Sequence, residues 1–274
     1  MQGKTVLVTG ANTGIGRVTA EDLARRGAHV FLACRSEERT RPVVDAIEAA
    51  GGRATFLALD LGDLESVSAC AKSFLAKSRS LDVLVNNAGL AGQRGITKQG
   101  FELAFGTNHV GHFLLTKLLL PALREPSSAR IVNVSSGSHR SATGIDFGAV
   151  RRKTASVSGM PEYGVSKLAN VLFAKELARG KAGSGVLSAA LHPGVVASDV
   201  WRSVPWPFRS LMKLFMLTNE QGAATSIHCA TTSDLEDGAY YDKSRPKHPS
   251  RTAQDEALAA ELWQRSEEWV APFV

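Results

Sequence analysis

TVLVTGANTGIG, at residues 5–16, is the stretch that decides the fold. Its first five residues are apolar or β-branched, which is typical of a strand buried on both faces. A helical pattern begins near Ile15, so the glycines between the two lie in a turn from a strand into a helix. This spacing predicts a phosphate-binding turn, because a helix N-terminus presents free N–H groups and the positive end of its dipole. The residues expected at the turn are Gly10, Asn12, Thr13, Gly14, Ile15 and Gly16.

Outward from this stretch, short apolar runs alternate with longer helical patterns. Further strands are predicted at residues 29–34, 54–59, 83–85, 131–134 and 186–191. Helices are predicted at residues 15–26, 37–50, 63–77, 101–123 and 163–179. The alternation indicates an α/β protein: a single-domain, Rossmann-like, doubly wound parallel sheet of about seven strands with helices on both faces. One domain is expected over residues 1–274, with an excursion at 137–162 and another at about 197–220.

Composition and charge narrow the class of protein. Of the 274 residues, 44% are hydrophobic and 21% are charged, as in an ordinary soluble globular protein. The net charge of +6 is spread along the chain, so nucleic-acid binding is not expected. No apolar stretch approaches the length of a transmembrane helix, about 18 residues. The three scattered cysteines suit neither a disulfide framework nor a metal site, and a cytoplasmic protein is expected.

The end of the second predicted strand indicates which dinucleotide would bind. In such folds the residue that contacts the adenosine ribose lies about 20 residues past the glycines. An acidic residue at that position is typical of NAD binding, and an arginine is typical of NADP binding. The chain has Arg35 there, followed by Ser36, and a guanidinium can grip a 2′-phosphate through two hydrogen bonds. Arg17 is expected to be a second cation for that phosphate, and Glu37 and Glu38 are interpreted as the acidic first turn of the next helix. The sequence therefore predicts NADP(H).

A tyrosine and a lysine lie four residues apart in the YGVSK stretch at 163–167. Residues at this spacing share a helix face, so the ammonium of Lys167 is expected to lower the pKa of the Tyr163 phenol. A lowering of about three units corresponds to about 4 kcal/mol of differential stabilisation and would give an acid/base able to work near neutral pH. The spacing is weak evidence by itself and gains weight from the phosphate-binding turn.

With these motifs in hand, the chain resembles the short-chain dehydrogenase/reductase family over nearly its whole length. The resemblance is carried, in order, by Thr9–Gly16, Asn86–Gly89, Asn108, Val134–Ser136, Tyr163–Lys167 and Pro193–Gly194. Several segments are similar to the retinol-dehydrogenase-like branch, which includes the WW-domain oxidoreductases. They are ACR at 33–35, TNHVGHF at 107–113, SKLAN at 166–170 and LHPGVV at 191–196.

The resemblance implies a role for each matching residue. Tyr163 would exchange the proton with the substrate oxygen, and Lys167 would lower the pKa of Tyr163 and hold the nicotinamide ribose. Ser136 would bind the substrate oxygen; Ser135 competes for this role, and Ser136 is preferred because alternate strand residues face opposite sides. Asn108 would hold a water that links Lys167 to solvent. Further cofactor contacts are implied for Asp60, Leu61, Asn87, Ala88, Gly89, Pro193, Gly194, Val196 and Ser198.

The aromatic stretch at 201–217 has two interpretations. Trp201 and Trp206 would enclose a lipophilic substrate if the stretch is a lid, which we prefer because it follows the predicted strand ending near Pro193. Alternatively, the stretch would rest on a membrane surface or a partner subunit. A homo-oligomer (dimer or tetramer) is one implied state, and packing of the final helix within its own subunit is another. No metal site is expected, since the histidines lack a cluster of ligand-like neighbours.

The predicted function is that of an NADP(H)-dependent oxidoreductase. It would interconvert a lipophilic alcohol and its aldehyde or ketone by hydride transfer, with Asn108, Ser136, Tyr163 and Lys167 as the catalytic set. The alternative is a non-catalytic NADP(H)-binding sensor or scaffold of the same fold. The presence of all four residues favours the enzyme, because a sensor has no chemical need for them.

Overall fold

The computed structural model describes residues 1–124, 128–181, 183, 185–195 and 217–274. Its strands form one sheet in the order β3-β2-β1-β4-β5-β6-β7-β8, in which β1 to β7 are parallel and β8 is antiparallel to β7. The strands are β1 (Thr5–Thr9), β2 (His29–Cys34), β3 (Arg53–Ala58), β4 (Val83–Asn86), β5 (Arg130–Val134), β6 (Leu187–His192), β7 (Tyr240–Asp242) and β8 (Arg245–Pro246). The predicted Rossmann-like parallel sheet is thereby confirmed.

The described part of the sheet has eight strands rather than about seven, because a short hairpin adds β8. Asp242 pairs with Arg245, and the two residues between them, Lys243 and Ser244, have φ values of 53° and 58°. Two consecutive left-handed residues are typical of a type I′ hairpin turn, which usually contains asparagine or glycine. Neither residue is present here, so the sequence carried no signal for this hairpin.

Helices cover both faces of the sheet. They are α1 (Gly14–Arg25), α2 (Glu37–Ala49), α3 (Leu64–Leu75), α4 (Leu103–Phe105), α5 (Gly111–Arg124), α6 (Met160–Glu176), α7 (Asn219–Thr231) and α8 (Glu256–Val270). Successive strand residues point to opposite faces. Val6 and Val8 accordingly belong to a core beneath α1, α2 and α7, whereas Leu7 belongs to a larger core with α3, α5, α6 and α8.

The helix predicted at 101–123 is interrupted in the structure. A π-helical turn, Gly106–Val110, separates α4 from α5 and carries Asn108. The backbone here comes very close to the loop after β3, since a Cβ at Gly111 would collide with the carbonyl oxygen of Leu61. Extra residues inserted as π turns often occur at functional sites. Hydrophobic periodicity does not distinguish a π turn from an α-helix over so few residues, and the sequence prediction therefore missed it.

Helix α8 packs on α5 and α6 of its own subunit. The Trp263 ring lies 4.9 Å from that of Phe113 and 5.8 Å from that of Phe173, measured between centroids. Lys117 of α5 forms a 2.9 Å ion pair with Glu267. The possibility that the final helix packs within its own subunit is therefore realised. In the described part of the chain, no helix combines the length and the apolar character needed to cross a bilayer.

The excursion at 137–162 is fastened to the rest of the fold. It contains two short 3-10 helices, Gly137–Ser141 and Ala149–Arg151. The backbone N–H of Thr154 donates to the Gly95 carbonyl at 3.0 Å, and its hydroxyl donates to the buried Glu102 carboxylate. Burial raises the pKa of Glu102, although this hydrogen bond partly offsets the effect. The excursion is thus tied to the loop between β4 and α4.

The sheet order changes direction between β1 and β4. Strands β1, β2 and β3 are added toward one edge, and β4 to β8 are added toward the other. The loops that leave the carboxyl ends of β1 and β4 therefore diverge and open a crevice between them. In doubly wound sheets, ligands bind in this crevice.

Candidate active site

A cleft of about 1060 Å³ opens at the carboxyl ends of β1, β2, β4, β5 and β6. It brings together most of the residues that the sequence predicted for a site. Those that line it are Gly10, Asn12, Thr13, Gly14, Ile15, Gly16, Arg35, Asp60, Leu61, Asn87, Ala88, Gly89, Ser136, Tyr163, Lys167, Pro193 and Gly194. Val196, Ser198, Trp201 and Trp206 lie outside the described residues. Most of the expected lid at about 197–220 does so as well.

Two positions of the glycine turn, Gly10 and Gly16, have no room for a side chain. Gly10 has a φ of 67°, and a Cβ there would lie 2.9 Å from the Cβ of Ala88. A Cβ at Gly16 would collide with the Gly10 carbonyl oxygen and with the side chain of Asn87. The backbone at Gly16 therefore packs closely against the turn itself and against the loop after β4.

The start of α1 suits an anion. Its first turn carries no acidic residue, and the N-cap residue Thr13 makes no side-chain capping hydrogen bond. The first N–H groups of a helix have no partners within the helix, and the helix dipole places positive charge there. This turn and the tight backbone at Gly10 form a cradle in which a phosphate group would meet N–H donors.

The loop after β4 is fastened to the glycine turn by Thr9. The Thr9 hydroxyl oxygen accepts hydrogen bonds from the backbone N–H groups of Asn87 and Ala88, each at 2.9 Å. In return, the Asn87 side-chain amide donates to the Thr9 carbonyl at 2.8 Å. Two of the sequence motifs are therefore one structural unit on opposite sides of the crevice.

The three residues expected near the 2′-phosphate have different surroundings in the structure. Arg35 is exposed and lines the cleft, and no ion pair of its guanidinium is found in the part of the chain that the structure describes. Ser36 caps α2, where its hydroxyl accepts from the Arg39 N–H at 3.3 Å. Arg17 is paired at 2.7 Å with Glu21, one helical turn along α1, and does not line the cleft. The role of Arg17 as a second cation for the phosphate stays a prediction.

Serines 135 and 136 have different surroundings at the end of β5. The hydroxyl of Ser135 is buried and donates to the Lys167 carbonyl at 2.7 Å. The hydroxyl of Ser136 lies beside the Tyr163 phenol, faces the cleft and donates to the Ser138 hydroxyl at 3.3 Å. It also accepts from the Ser138 N–H at 3.2 Å. The geometry thus agrees with the preference for Ser136, because Ser135 already holds α6.

Tyr163 and Lys167 lie on one face of α6, as predicted, but their electrostatics differ from the prediction. The Lys167 ammonium is 5.7 Å from the centroid of the Tyr163 ring and donates to the Val134 carbonyl at 2.9 Å. Burial lowers the pKa of Lys167 to about 7. Burial also raises the pKa of Tyr163, and the neighbouring Ser136 hydroxyl offsets this only in part. The predicted lowering of the Tyr163 pKa is therefore wrong, because desolvation acts on both groups and disfavours both charges.

Asn108 is fully buried behind the cleft rather than in its lining. Its amide nitrogen donates to the Leu90 carbonyl at 3.0 Å and to the Ser166 hydroxyl at 2.9 Å. Its amide oxygen accepts from the Leu90 N–H at 2.9 Å. The side chain therefore joins the loop after β4 to α6. Its predicted role in holding a water molecule stays a prediction.

Two histidines beside Ser136 were not predicted as site residues. The Nδ1–H of His139 donates to the Ser136 carbonyl at 2.7 Å, and the Nε2 of His139 accepts from the Ser250 N–H at 3.1 Å. The Gly137 N–H donates to Nδ1 of His192 at 3.1 Å. The peptide group between Ser136 and Gly137 is thereby held at both its carbonyl oxygen and its N–H. The closeness of His139 to the serine pair was the available sequence signal.

Comparison with known proteins decides the family. A family model described as short chain dehydrogenase matches residues 4–206. The chain belongs to this family. It is 44% identical over 271 residues to human retinol dehydrogenase 11, covering 96% of this chain and 84% of that protein.

Solved structures agree with this placement of the short-chain dehydrogenase. An uncharacterized protein from Mycobacterium paratuberculosis matches with a TM-score of 0.80 and 34% identity, over 98% of this chain and 94% of that one. A Pseudomonas aeruginosa RhlG/NADP active-site complex matches with a TM-score of 0.70 and 26% identity, over 88% and 94% of the two chains. The protein is therefore an oxidoreductase of a family that uses nicotinamide dinucleotides.

The cleft of this short-chain dehydrogenase fits such a cofactor. The absence of a Cβ at Gly10 and Gly16 lets the glycine turn, the start of α1 and the loop after β4 pack closely together. The first turn of α1 then presents N–H groups that have no partner within the helix, which suits a pyrophosphate. The polar pair Ser136 and Tyr163 lies at another part of the same cleft. The phosphates of a dinucleotide would meet the N–H donors of the first turn of α1, and its nicotinamide ring would lie beside the polar groups of Ser136 and Tyr163.

Proposed function

We propose that this short-chain dehydrogenase is an NADP(H)-dependent oxidoreductase that interconverts a lipophilic alcohol and its aldehyde or ketone. The observation that carries the proposal is the convergence of Ser136, Tyr163 and Lys167 on the cleft that the glycine turn and Arg35 also line. A reacting carbonyl would thereby meet two hydroxyl groups while the dinucleotide is held by the backbone of the turn.

The choice of NADP(H) is supported by Arg35. Arg35 directly follows β2 and lines the cleft, whereas the acidic residues of the described cleft wall, Asp60 and Asp63, follow β3. Glu37 belongs to the first turn of α2 and pairs with Arg41 at 2.6 Å, so its charge is directed along the helix. Asp60 and Leu61 would contact the adenine, and Asn87, Ala88 and Gly89 would line the adjacent ribose.

When bound, the nicotinamide supplies or accepts the hydride. The protein's own contribution is to bind the substrate oxygen and move a proton. The Ser136 hydroxyl would hold the oxygen, and the Tyr163 phenol would deliver the proton to it in reduction or remove the proton in oxidation. Both hydroxyl groups lie beside each other at the cleft, so a substrate oxygen placed between them could bind to both.

The protonation states favour a donor at Tyr163. Because burial raises its pKa, the phenol is protonated at neutral pH and is ready to donate to a carbonyl oxygen. Lys167, with a pKa of about 7, is partly charged at that pH. A phenolate formed by proton transfer would favour the charged form of Lys167, since opposite charges stabilise each other at low effective dielectric. Lys167 therefore acts on the state that follows proton transfer.

The lipophilic substrate class is supported by the retinol dehydrogenase relatives. Leu217 donates its backbone N–H to the Val195 carbonyl at 2.8 Å, and both Gly194 and Val195 line the cleft. The segment between Val195 and Leu217 therefore starts and ends at the rim of the cleft. A lid containing Trp201 and Trp206 is part of the proposal on this ground.

A turnover screen tests the proposed function. NADPH consumption would be followed with lipophilic aldehydes and ketones, and NADP reduction with the matching alcohols. Turnover of at least one pair is expected, and a Tyr163→Phe variant should lose it while binding NADPH with nearly unchanged affinity. NADPH binding without turnover of any pair would instead favour the non-catalytic sensor or scaffold.

A further inference from the structure

A buried histidine, His112, connects the end of β1, where the phosphate-binding turn begins, to Asn108 of the catalytic set. His112 lies at the start of α5 and is 1% exposed. Its Nδ1 is 2.9 Å from the Asn108 carbonyl oxygen, and its Nε2 is 2.9 Å from the Thr9 hydroxyl oxygen. Each ring nitrogen therefore has one partner, and the two partners belong to different motifs.

The partners fix the direction of both hydrogen bonds. A carbonyl oxygen can only accept, so Nδ1 carries the hydrogen and donates to Asn108. Burial lowers the pKa of His112 to about 4, so the ring is neutral and Nε2 is an acceptor. The Thr9 hydroxyl then donates to Nε2 at 2.9 Å rather than to its other acceptor, the Val85 carbonyl at 3.4 Å. Its oxygen accepts from the Asn87 and Ala88 N–H groups. The hydroxyl's single donor and both acceptor sites are thereby used.

The π-helical turn explains why a side chain serves the Asn108 carbonyl. The turn is closed by a hydrogen bond from the Gly111 N–H to the Gly106 carbonyl, which is wider than the spacing of an α-helix. Near such a turn the regular ladder of backbone hydrogen bonds is disturbed, and a side chain can supply a donor. His112 does so from one turn along the helix and reaches Thr9 with its other nitrogen.

We infer that His112 is a positioning residue that couples the geometry of the cofactor cradle to that of Asn108, and this inference rests on the proposed function. On one side it orients the hydroxyl of Thr9, which holds the loop after β4 against the glycine turn. On the other side it holds the backbone of Asn108, whose side chain bonds Leu90 and Ser166. Ser166 in turn donates to the Tyr163 carbonyl at 2.8 Å, so the chain of contacts reaches the acid/base residue.

His109 offers a matched control on the same turn. It is also 1% exposed, and its Nε2 is 3.0 Å from the Ser266 hydroxyl of α8. That contact leads into the core beneath α8, away from the cradle. Replacing His109 by phenylalanine therefore removes a buried imidazole from the same segment without touching the Thr9 and Asn108 contacts.

The test compares three variants of His112 with His109→Phe. For His112→Phe, NADPH should bind about 10-fold more weakly by fluorescence titration, because buried polar partners are left unpaired. Its kcat should fall about 100-fold, the size expected for a small misplacement of catalytic groups. His112→Asn, which can mimic the Nδ1–H donor, should recover kcat more than affinity. His112→Gln, which can mimic the Nε2 acceptor, should recover affinity more than kcat.

Two readouts do not depend on turnover. The NADPH dissociation constant is measured without a substrate, and the imidazole ¹⁵N shifts should show His112 as the neutral Nδ1–H tautomer near pH 6. If no substrate is turned over but these two results hold, the proposed function fails while the coupling to the cradle stands. The inference is overturned by the opposite tautomer, by unchanged affinity in His112→Phe, or by equal losses in His112→Phe and His109→Phe.

Discussion

Replacement of Lys167 by methionine tests the electrostatics of the cleft through protein stability. Burial lowers the pKa of Lys167 from 10.5 to about 7. Between these two values the unfolded chain binds a proton that the folded chain does not, so this residue makes stability rise with pH across that window. Below about pH 7 the folded protein carries the full cost of a buried ammonium. Methionine has a similar length and does not titrate, so the variant should lack this dependence.

The magnitude follows from the size of the shift. From about pH 7 to about pH 9, the folded-state proton of Lys167 is lost while the unfolded chain keeps its own. A difference of one bound proton between the unfolded and the folded chain changes the free energy of unfolding by about 1.4 kcal/mol per pH unit. Because the folded site is still half-protonated at about pH 7, the free energy of unfolding rises by about 2 kcal/mol up to about pH 9. The wild-type free energy of unfolding minus that of Lys167→Met should therefore rise by about 2 kcal/mol over this range.

Urea unfolding followed by circular dichroism at several pH values measures this difference. Subtracting the variant from the wild type removes the contributions of all other titrating groups. Lys72→Met, an exchange at an exposed position of α3, controls for the chemical change itself and should give a difference that is flat with pH. A flat or falling difference for Lys167→Met would refute the conclusion that this lysine is desolvated.

Three further predictions follow from particular contacts. Arg35→Glu should weaken NADPH binding by about 10- to 100-fold and leave NADH binding much less affected, because a charge-assisted phosphate contact is replaced by repulsion; equal loss for both would contradict the assignment. Ser136→Ala should lower kcat by about 100-fold, whereas Ser135→Ala should mainly cost about 1 kcal/mol of stability because it removes the hydrogen bond to the Lys167 carbonyl; steady-state kinetics and denaturant unfolding of both variants decide this. Trp263→Ala should cost about 3–5 kcal/mol, measured by denaturant unfolding, because its ring packs between α5 and α6; a loss below about 1 kcal/mol would argue against that packing.

The fold was predictable because its signals are local and repeated. The run Thr5–Thr9 and the strand His29–Cys34 have the predicted bounds, since each is a short apolar run ended by turn residues. The acidic first turn of α2, with Glu37 and Glu38, was also predicted and is confirmed. The family motifs then placed Ser136 and Tyr163, which the sheet brings to one cleft although they are far apart in sequence.

The parts that failed depend on distances between elements. The pKa of Tyr163 is set by how much water the surrounding helices and loops exclude, which spacing along one helix does not report. The π-helical turn at Asn108 and the contacts of His112 arise from the close approach of α5 to neighbouring loops. None of these has a signature in hydrophobic periodicity.

The most direct test of the central claim follows the transfer of deuterium from NADPH labelled at nicotinamide C4. Single-turnover experiments would use the aldehyde or ketone that the turnover screen identifies, with the wild type and with Tyr163→Phe. We expect deuterium on the carbinol carbon of the wild-type product. In Tyr163→Phe we expect loss of the transfer, with NADPH affinity changed by less than about threefold. Deuterium transfer at the wild-type rate by Tyr163→Phe would contradict the role of Tyr163 as the proton donor.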